Sequence, residues 1–272
     1  MATAKVVAAV VGVAIVVAIV IGVVIAVILA LRPYPLPRII WCHWNIRPLP
    51  SMTAEHWNQI RNLHPTKDGW EIRELSDANL QNWIHAFPEG YDKLSLQHKA
   101  DWIRLYILER YGGCWVDAGI WANHSFAPIW EETRVRQAEL TAFWLDSKQY
   151  VENWFLIAPA ESRIVSAWRK EFERAISMGF LPYRRSLEAR GVNLTNIFQD
   201  KDDTYLTMHA AMRYIQQTMN PDLLLYRAED TMFKIHDECN WEDNCMRPRF
   251  RQMKMTAIPW IKLRGSDRNL LI

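Results

Sequence analysis

The chain has 272 residues, 50% of them hydrophobic and 23% charged, with a net charge of +2. That near-neutral balance gives no bulk attraction for a polyanion, so nucleic acid is not an expected partner. Much of the hydrophobic content sits at the amino end; without it about 240 residues remain, the size of one α/β domain with a full core.

Residues 1–5 are a short tail, and residues 6–31 an uncharged apolar run bracketed by Lys5 and Arg32. At 1.5 Å per residue a run of about 26 residues reaches about 39 Å, more than a bilayer core requires. A cleaved signal peptide has a shorter apolar region and a small-residue exit, and Ile28-Leu29-Ala30 is a poor one. The run predicts an N-terminal transmembrane helix, with membrane contact through residues 6–31. Residues 32–37, Arg-Pro-Tyr-Pro-Leu-Pro, read as a stiff linker, and residues 38–272 as a single folded domain. Arg32, Arg38 and Arg47 outweigh Lys5 and the free amino terminus across the span, which favours a cytoplasmic domain.

The most informative segment runs from Ala100 to Ile120, ADWIRLYILERYGGCWVDAGI. Ala100, Ile103, Ile107, Leu108 and Tyr111 form one helical stripe, and Asp101 and Arg104 share a face beside it. Gly112 and Gly113 stop the helix, where a positive φ is often needed. Cys114, Trp115 and Val116 then read as a buried strand. The helix descends about 15 Å from Asp101 to Tyr111, and the strand climbs back roughly 10–13 Å by Asp117. Asp117 therefore returns near Asp101 and Arg104, at the carboxyl end of a strand, where open α/β sheets bind ligands. A structural Asp101–Arg104 ion pair with a turn aspartate is the plain alternative.

These residues resemble the core of the capsular-polysaccharide-synthesis type of glycosyltransferase and, more distantly, the DXD sugar transferases, among them yeast mannosyltransferases and large clostridial glucosylating toxins. The shared pattern is S-D-x-x-R, a helix, then G-G-x-Y-x-D-x-D. Here it stands as Ala100-Asp101-Trp102-Ile103-Arg104 and Gly112-Gly113-Cys114-Trp115-Val116-Asp117-Ala118-Gly119, with Gly119 in place of the second acid. Pro37 to Trp44 is similar to the family's opening strand, followed by a helix with Trp57 and a second strand at Trp70 to Leu75. Asn153 to Ala158 is similar to a later strand bordering the donor sugar, and Pro259 to Leu263 to a C-terminal K-L segment.

The resemblance implies an α/β, GT-A-like nucleotide-diphospho-sugar transferase fold: a mixed, mainly parallel sheet flanked by helices, residues 38–272 being the catalytic domain. It implies a nucleotide-sugar donor, a glycan or glycoconjugate acceptor, a place in polysaccharide biosynthesis and retention of anomeric configuration. Golgi-type anchored transferases place this domain in the lumen, against the charge count above. Asp101, Arg104 and Asp117 are the expected catalytic residues. Asp101 accepts from the donor's ribose or sugar, Arg104 compensates the carboxylates, and Asp117 takes ribose hydroxyls or a metal. Trp44, Gly112, Gly113, Asn153 and Lys262 are the expected donor-binding residues, Trp44 because aromatic faces stack bases. For Trp44 an ordinary core position, and for Asn153 a strand-end hydrogen bond, are equal alternatives.

Oxygen ligands suit Mn²⁺ or Mg²⁺, but Asp117 alone is a thin metal site once Gly119 has replaced the second acid. His236, Asp237 and Asp267 are candidates to complete it; alternatively Lys262 and Arg264 bind the diphosphate without metal. The rival class is a sugar-nucleotide-binding protein of the same fold, catalytically impaired at Gly119. A nucleotidyltransferase would need a glycine-rich phosphate loop near the first strand, and Ile40 to Arg47 has none. Asp117→Ala is expected to abolish transfer with thermal stability nearly unchanged. Arg247, Arg249, Arg251 and Lys254 read as a solvated strand face or a membrane-surface contact. His43 and His209 read as structural histidines. Cys42 and Cys114 read as core thiols, and Cys239 and Cys245 as a pair if the compartment is oxidising.

Overall fold

In the computed structural model, which describes residues 35–271, the sheet is built outward from strand β1, Ile39–His43. Its Ile-Trp-Cys centre is fully buried, as befits a parallel strand covered on both faces. Strand β2, Glu71–Leu75, lies on one side of β1 and strand β3, Gly113–Val116, on the other, both parallel to it. Helix α1, Ser51–Leu63, connects β1 to β2. Helix α2, Leu96–Tyr111, leads into β3.

Past β3 the chain forms a short strand β4, Ile120–Ala122, and helix α3, Ala127–Arg136. Strands β5, Leu140–Leu145, and β6, Tyr150–Ala158, return to the sheet, and β6 runs antiparallel to both β3 and β5. Helices α4, Arg163–Met178, α5, Phe180–Ala189, and α6, Thr207–Met219, precede strand β7, Leu223–Arg227, which is parallel to β5. The order is β2-β1-β3-β6-β5-β7. The expected mixed, mainly parallel α/β sheet is present, with β6 as its reversed strand.

Helix α2 is buried on more than the single stripe its spacing suggests: Trp102 and Leu105 are buried as well as Ile103, Ile107 and Leu108. It packs between the sheet and α4. Ser95 caps it by accepting from the His98 amide, satisfying one otherwise orphaned donor. Gly112 and Gly113, at φ 66° and 100°, turn the chain into β3.

The C-terminal part returns to the front of the sheet. Helices α7, Lys234–Glu238, and α8, Asp243–Arg251, lead to strand β8, Trp260–Lys262, which pairs antiparallel with β4 so that Lys262 lies opposite Ile120. A second apolar core of Trp121, Ile235, Met246, Phe250, Ile261 and Leu263 fastens this layer. Cys239 and Cys245 are disulfide-bonded, whereas Cys42 and Cys114 are buried free thiols. The basic stretch read as a strand face is helical from Arg247 to Arg251, because Met246 and Phe250 recur at helical spacing and bury together.

The expected single-pass membrane architecture is corrected. Among the described residues no helix is long and apolar enough to cross a membrane. The apolar run at residues 6–31, on which the transmembrane helix and both membrane orientations rested, lies outside the described residues.

Candidate donor-binding site

The α2–β3 return places two carboxylates around one guanidinium. Arg104, 4% exposed, donates to the Asn153 carbonyl at 2.7 Å and to Asp117 Oδ1 at 3.2 Å. Its Nη1 lies 3.4 Å from Asp101 Oδ1, three residues earlier on the helix. Asp117 follows the last residue of β3, and its amide is fixed by the Trp154 carbonyl of β6 at 2.9 Å. The Trp115 indole donates to Asp117 Oδ1 at 3.0 Å and Lys262 Nζ to Oδ2 at 3.3 Å. His56 on α1 faces the Ala118 carbonyl at 3.2 Å and so braces the turn.

The two carboxylates are driven in opposite directions. Burial raises the Asp101 pKa and outweighs the nearby Arg104. Burial acts the same way on Asp117, but Arg104, Lys262 and the Trp115 hydrogen bond overcome it and hold its pKa below the usual carboxylate value. Lys262 is itself lowered by burial, against the opposing pull of Asp117.

These groups open into a cavity of about 1320 Å³, large enough for a nucleotide-sized ligand. Trp44, Asp101, Arg104, Asp117, Asn153 and Lys262 all line it, so six of the eight expected site residues are brought together. Asn153 donates to Asp101 Oδ1 at 3.0 Å, so its amide positions that carboxylate. Trp44 carries the Arg268 guanidinium over one ring face at 5.3 Å.

Gly112 and Gly113 are a correction: they stand at the start of β3, the end opposite Asp117, and do not line the cavity. A Cβ on Gly112 would meet the Ala160 amide nitrogen at 2.5 Å, and one on Gly113 the Ile39 carbonyl at 2.6 Å. Close backbone packing accounts for both. His236 and Asp267 are also redirected: they pair with each other at 2.8 Å, wholly buried, while Asp237 is exposed. None of the three joins Asp117.

The donor set therefore does not fit a divalent cation. Asp117 is a single carboxylate with a cation on each oxygen, and among the described residues no group of three His, Cys, Asp or Glu side chains converges as a metal cluster. Mg²⁺ can be held by one or two carboxylates with substrate phosphates supplying the rest, but both oxygens of this carboxylate are already engaged, by Arg104, Trp115 and Lys262.

Three cavity residues escaped the sequence reading. Glu152, 6% exposed, meets His209 Nε2 at 3.2 Å, and Tyr150 packs edge-on to that imidazole at 5.0 Å. An acid inside a nine-residue strand buried throughout was the available signal. Arg268 lies only four residues beyond Arg264 in the same basic C-terminal stretch.

A mixed α/β sheet with a charge-braced aspartate at the end of a parallel strand, under a nucleotide-sized cavity, defines a ligand-binding α/β domain. Residues 36–176, about half the chain, match the family described as capsular polysaccharide synthesis protein, and this chain belongs to that family. It is similar to an O-glycosyltransferase, PaGT, of Phomopsis amygdali, 24% identical over 155 residues, 49% of this chain and 35% of that one. It is also similar to inositol phosphoceramide mannosyltransferase 1 of Schizosaccharomyces pombe, 23% identical over 138 residues, 46% of this chain and 39% of that one. The match spans well under half the length of either relative. Among solved structures, PaToxG glycosyltransferase superposes with a TM-score of 0.45 at 10% identity, covering 88% of this chain and 85% of that one. The galactosyltransferase LgtC, in complex with donor and acceptor sugar analogs, superposes with a TM-score of 0.43 at 10% identity, covering 84% and 87%.

Proposed function

We propose that this chain is a glycosyltransferase that moves a sugar from a nucleotide-sugar donor to a hydroxyl of a glycan or glycoconjugate, with retention of anomeric configuration. The observation that carries the proposal is the position of Asp117, fixed by Arg104 and Lys262 in the lining of the cavity. Membership of the capsular polysaccharide synthesis family and the names of the curated relatives, O-glycosyltransferases and a mannosyltransferase, support the same reading.

Each residue has a task in that chemistry. Asp117, kept ionised by its two cations, accepts from ribose or sugar hydroxyls. Asp101, oriented by Asn153, accepts from a neighbouring hydroxyl. Arg104 locks both carboxylates in place so that the donor meets a preorganised surface. In transfer the bond from the anomeric carbon to the terminal phosphate oxygen breaks, and its electron pair leaves with the nucleoside diphosphate. The acceptor oxygen bonds to that carbon and passes its proton to the departing phosphate oxygen. Negative charge grows on the leaving oxygen, and cationic groups held there stabilise the transition state more than the ground state.

The test is turnover of UDP-glucose, UDP-galactose, UDP-N-acetylglucosamine and GDP-mannose by the full chain, followed as nucleotide release with and without acceptor glycans. Release from one donor class, with a product of unchanged anomeric configuration by NMR, is the expected result. Nucleotide binding without turnover on any donor would sink the transferase reading in favour of a binding protein.

A further inference from the structure

Where a metal-dependent site would carry a second acid, this chain carries Gly119, and the space beside it is occupied by positive charge. A Cβ built on Gly119 would lie 2.5 Å from the Leu263 carbonyl oxygen, 3.1 Å from Arg268 Nη2 and 3.2 Å from Lys262 Nζ. The glycine is therefore required by close approach. The β4–β8 pairing draws the C-terminal segment against this turn, as the Leu263 amide bond to the Gly119 carbonyl at 2.8 Å records. Any side chain at 119 would push that segment and its two cations away.

The cations differ in how far they are committed. Arg264 is bound to buried Asp267 through its backbone amide at 2.6 Å and its guanidinium at 2.7 Å. Arg104 and Lys262 are bound to Asp117. Arg268 has no hydrogen-bond acceptor among the described residues; it is half-buried, stacks on Trp44 and lines the cavity. A partly desolvated guanidinium with no acceptor is costly unless a ligand supplies one. Its planar fork matches phosphate oxygens in pairs, and an ammonium beside it adds a point charge.

We propose that Arg268 and Lys262 bind the donor's diphosphate in place of a divalent cation, with Gly119 as the vacancy that admits them. This rests on the donor reading above and names the counter-charge that reading leaves open. The guanidinium fork holds two phosphate oxygens, and Lys262, already turned toward Asp117, neutralises the oxygen that becomes the leaving group.

Calorimetric titration of the full chain with UDP, GDP and inorganic pyrophosphate, in EDTA and in millimolar Mn²⁺, tests it. Expected is a nucleotide Kd that changes less than twofold between the two conditions. Arg268→Gln should weaken it at least tenfold, and Arg268→Lys, which keeps the charge but loses the fork, should recover only part of that loss. Thermal melts of both variants separate lost binding from lost folding. Mn²⁺ tightening the nucleotide tenfold or more, or Arg268→Gln leaving Kd unchanged in a folded protein, overturns the proposal while the donor reading stands. Absence of nucleotide and pyrophosphate binding in both conditions overturns the donor reading and this proposal together.

Discussion

Neutralising Asp117 takes the carboxylate partner from Lys262, with 11% of its side chain exposed, and one of two from Arg104, 5% exposed, which keeps Asp101. Breaking a buried ion pair from one side costs about 3–5 kcal/mol, because the remaining charge stays desolvated. Asp117 is itself 25% exposed, so water recovers part of that, and a loss of about 2–3 kcal/mol is expected for Asp117→Asn. Urea unfolding measures it, and donor turnover should fall at least a hundredfold in the same variant. The expectation from sequence, that Asp117→Ala leaves thermal stability nearly unchanged, does not reckon with Lys262. Its ammonium comes from 145 residues away, and no local pattern announces such a partner. An unchanged unfolding free energy in Asp117→Asn would mean that the cations find other acceptors.

The α2–β3 unit shows what local sequence determines at the scale of an element. Helical rise and strand rise alone return Asp117 to the level of Asp101 and Arg104, and the 3.2 Å contact between Arg104 and Asp117 is the outcome. That much was legible because both elements are contiguous and joined by an unambiguous stop. The β4–β8 pairing was not legible: two three-residue strands carry too little periodicity to pair on paper, and they deliver Lys262. The same limit explains the basic stretch read as a strand, since a helix interrupted by Pro248 hides its spacing. The glycine pair gives the prediction at this scale. Gly113→Ala places a Cβ 2.6 Å from the Ile39 carbonyl at a φ of 100°, combining overpacking with backbone strain, each about 1–3 kcal/mol. A stability loss of about 2–4 kcal/mol is expected, with nucleotide Kd in the folded fraction within twofold of the parent. A selective loss of nucleotide affinity at unchanged stability would return Gly113 to the donor-binding set.

The pH response belongs to the molecule as a whole, because the groups that set it are spread over several elements. Burial lowers the pKa of both His43 and His56 from about 6.5 to about 4. Asp77, Arg104 and Asp117 are the charges acting on His43, and Arg268, Glu55 and Lys254 those acting on His56. His64 and His236 are lowered in the same direction, also by burial. Between pH 6.5 and 4 the unfolded chain therefore binds protons that the folded chain refuses, so stability falls as pH falls, by about 1.4 kcal/mol per pH unit for each such histidine. The raised Asp101 opposes this, since the folded state takes up its proton before the unfolded state does. The depressed Asp117 and Asp267 extend the loss below about pH 4, where the unfolded carboxylates protonate first. Urea midpoints from pH 7.5 to 4.5 should show a decline of at least about 3 kcal/mol, and His56→Gln should flatten the slope by about one proton. An equal slope in the variant would mean that His56 is protonated in the folded protein. Its ring faces the Ala118 carbonyl, between Asp117 and Gly119, so a proton forced onto buried His56 places a charge against the turn that carries the site. Nucleotide affinity should then decline in the same pH window as stability, and the decline should be shallower in His56→Gln.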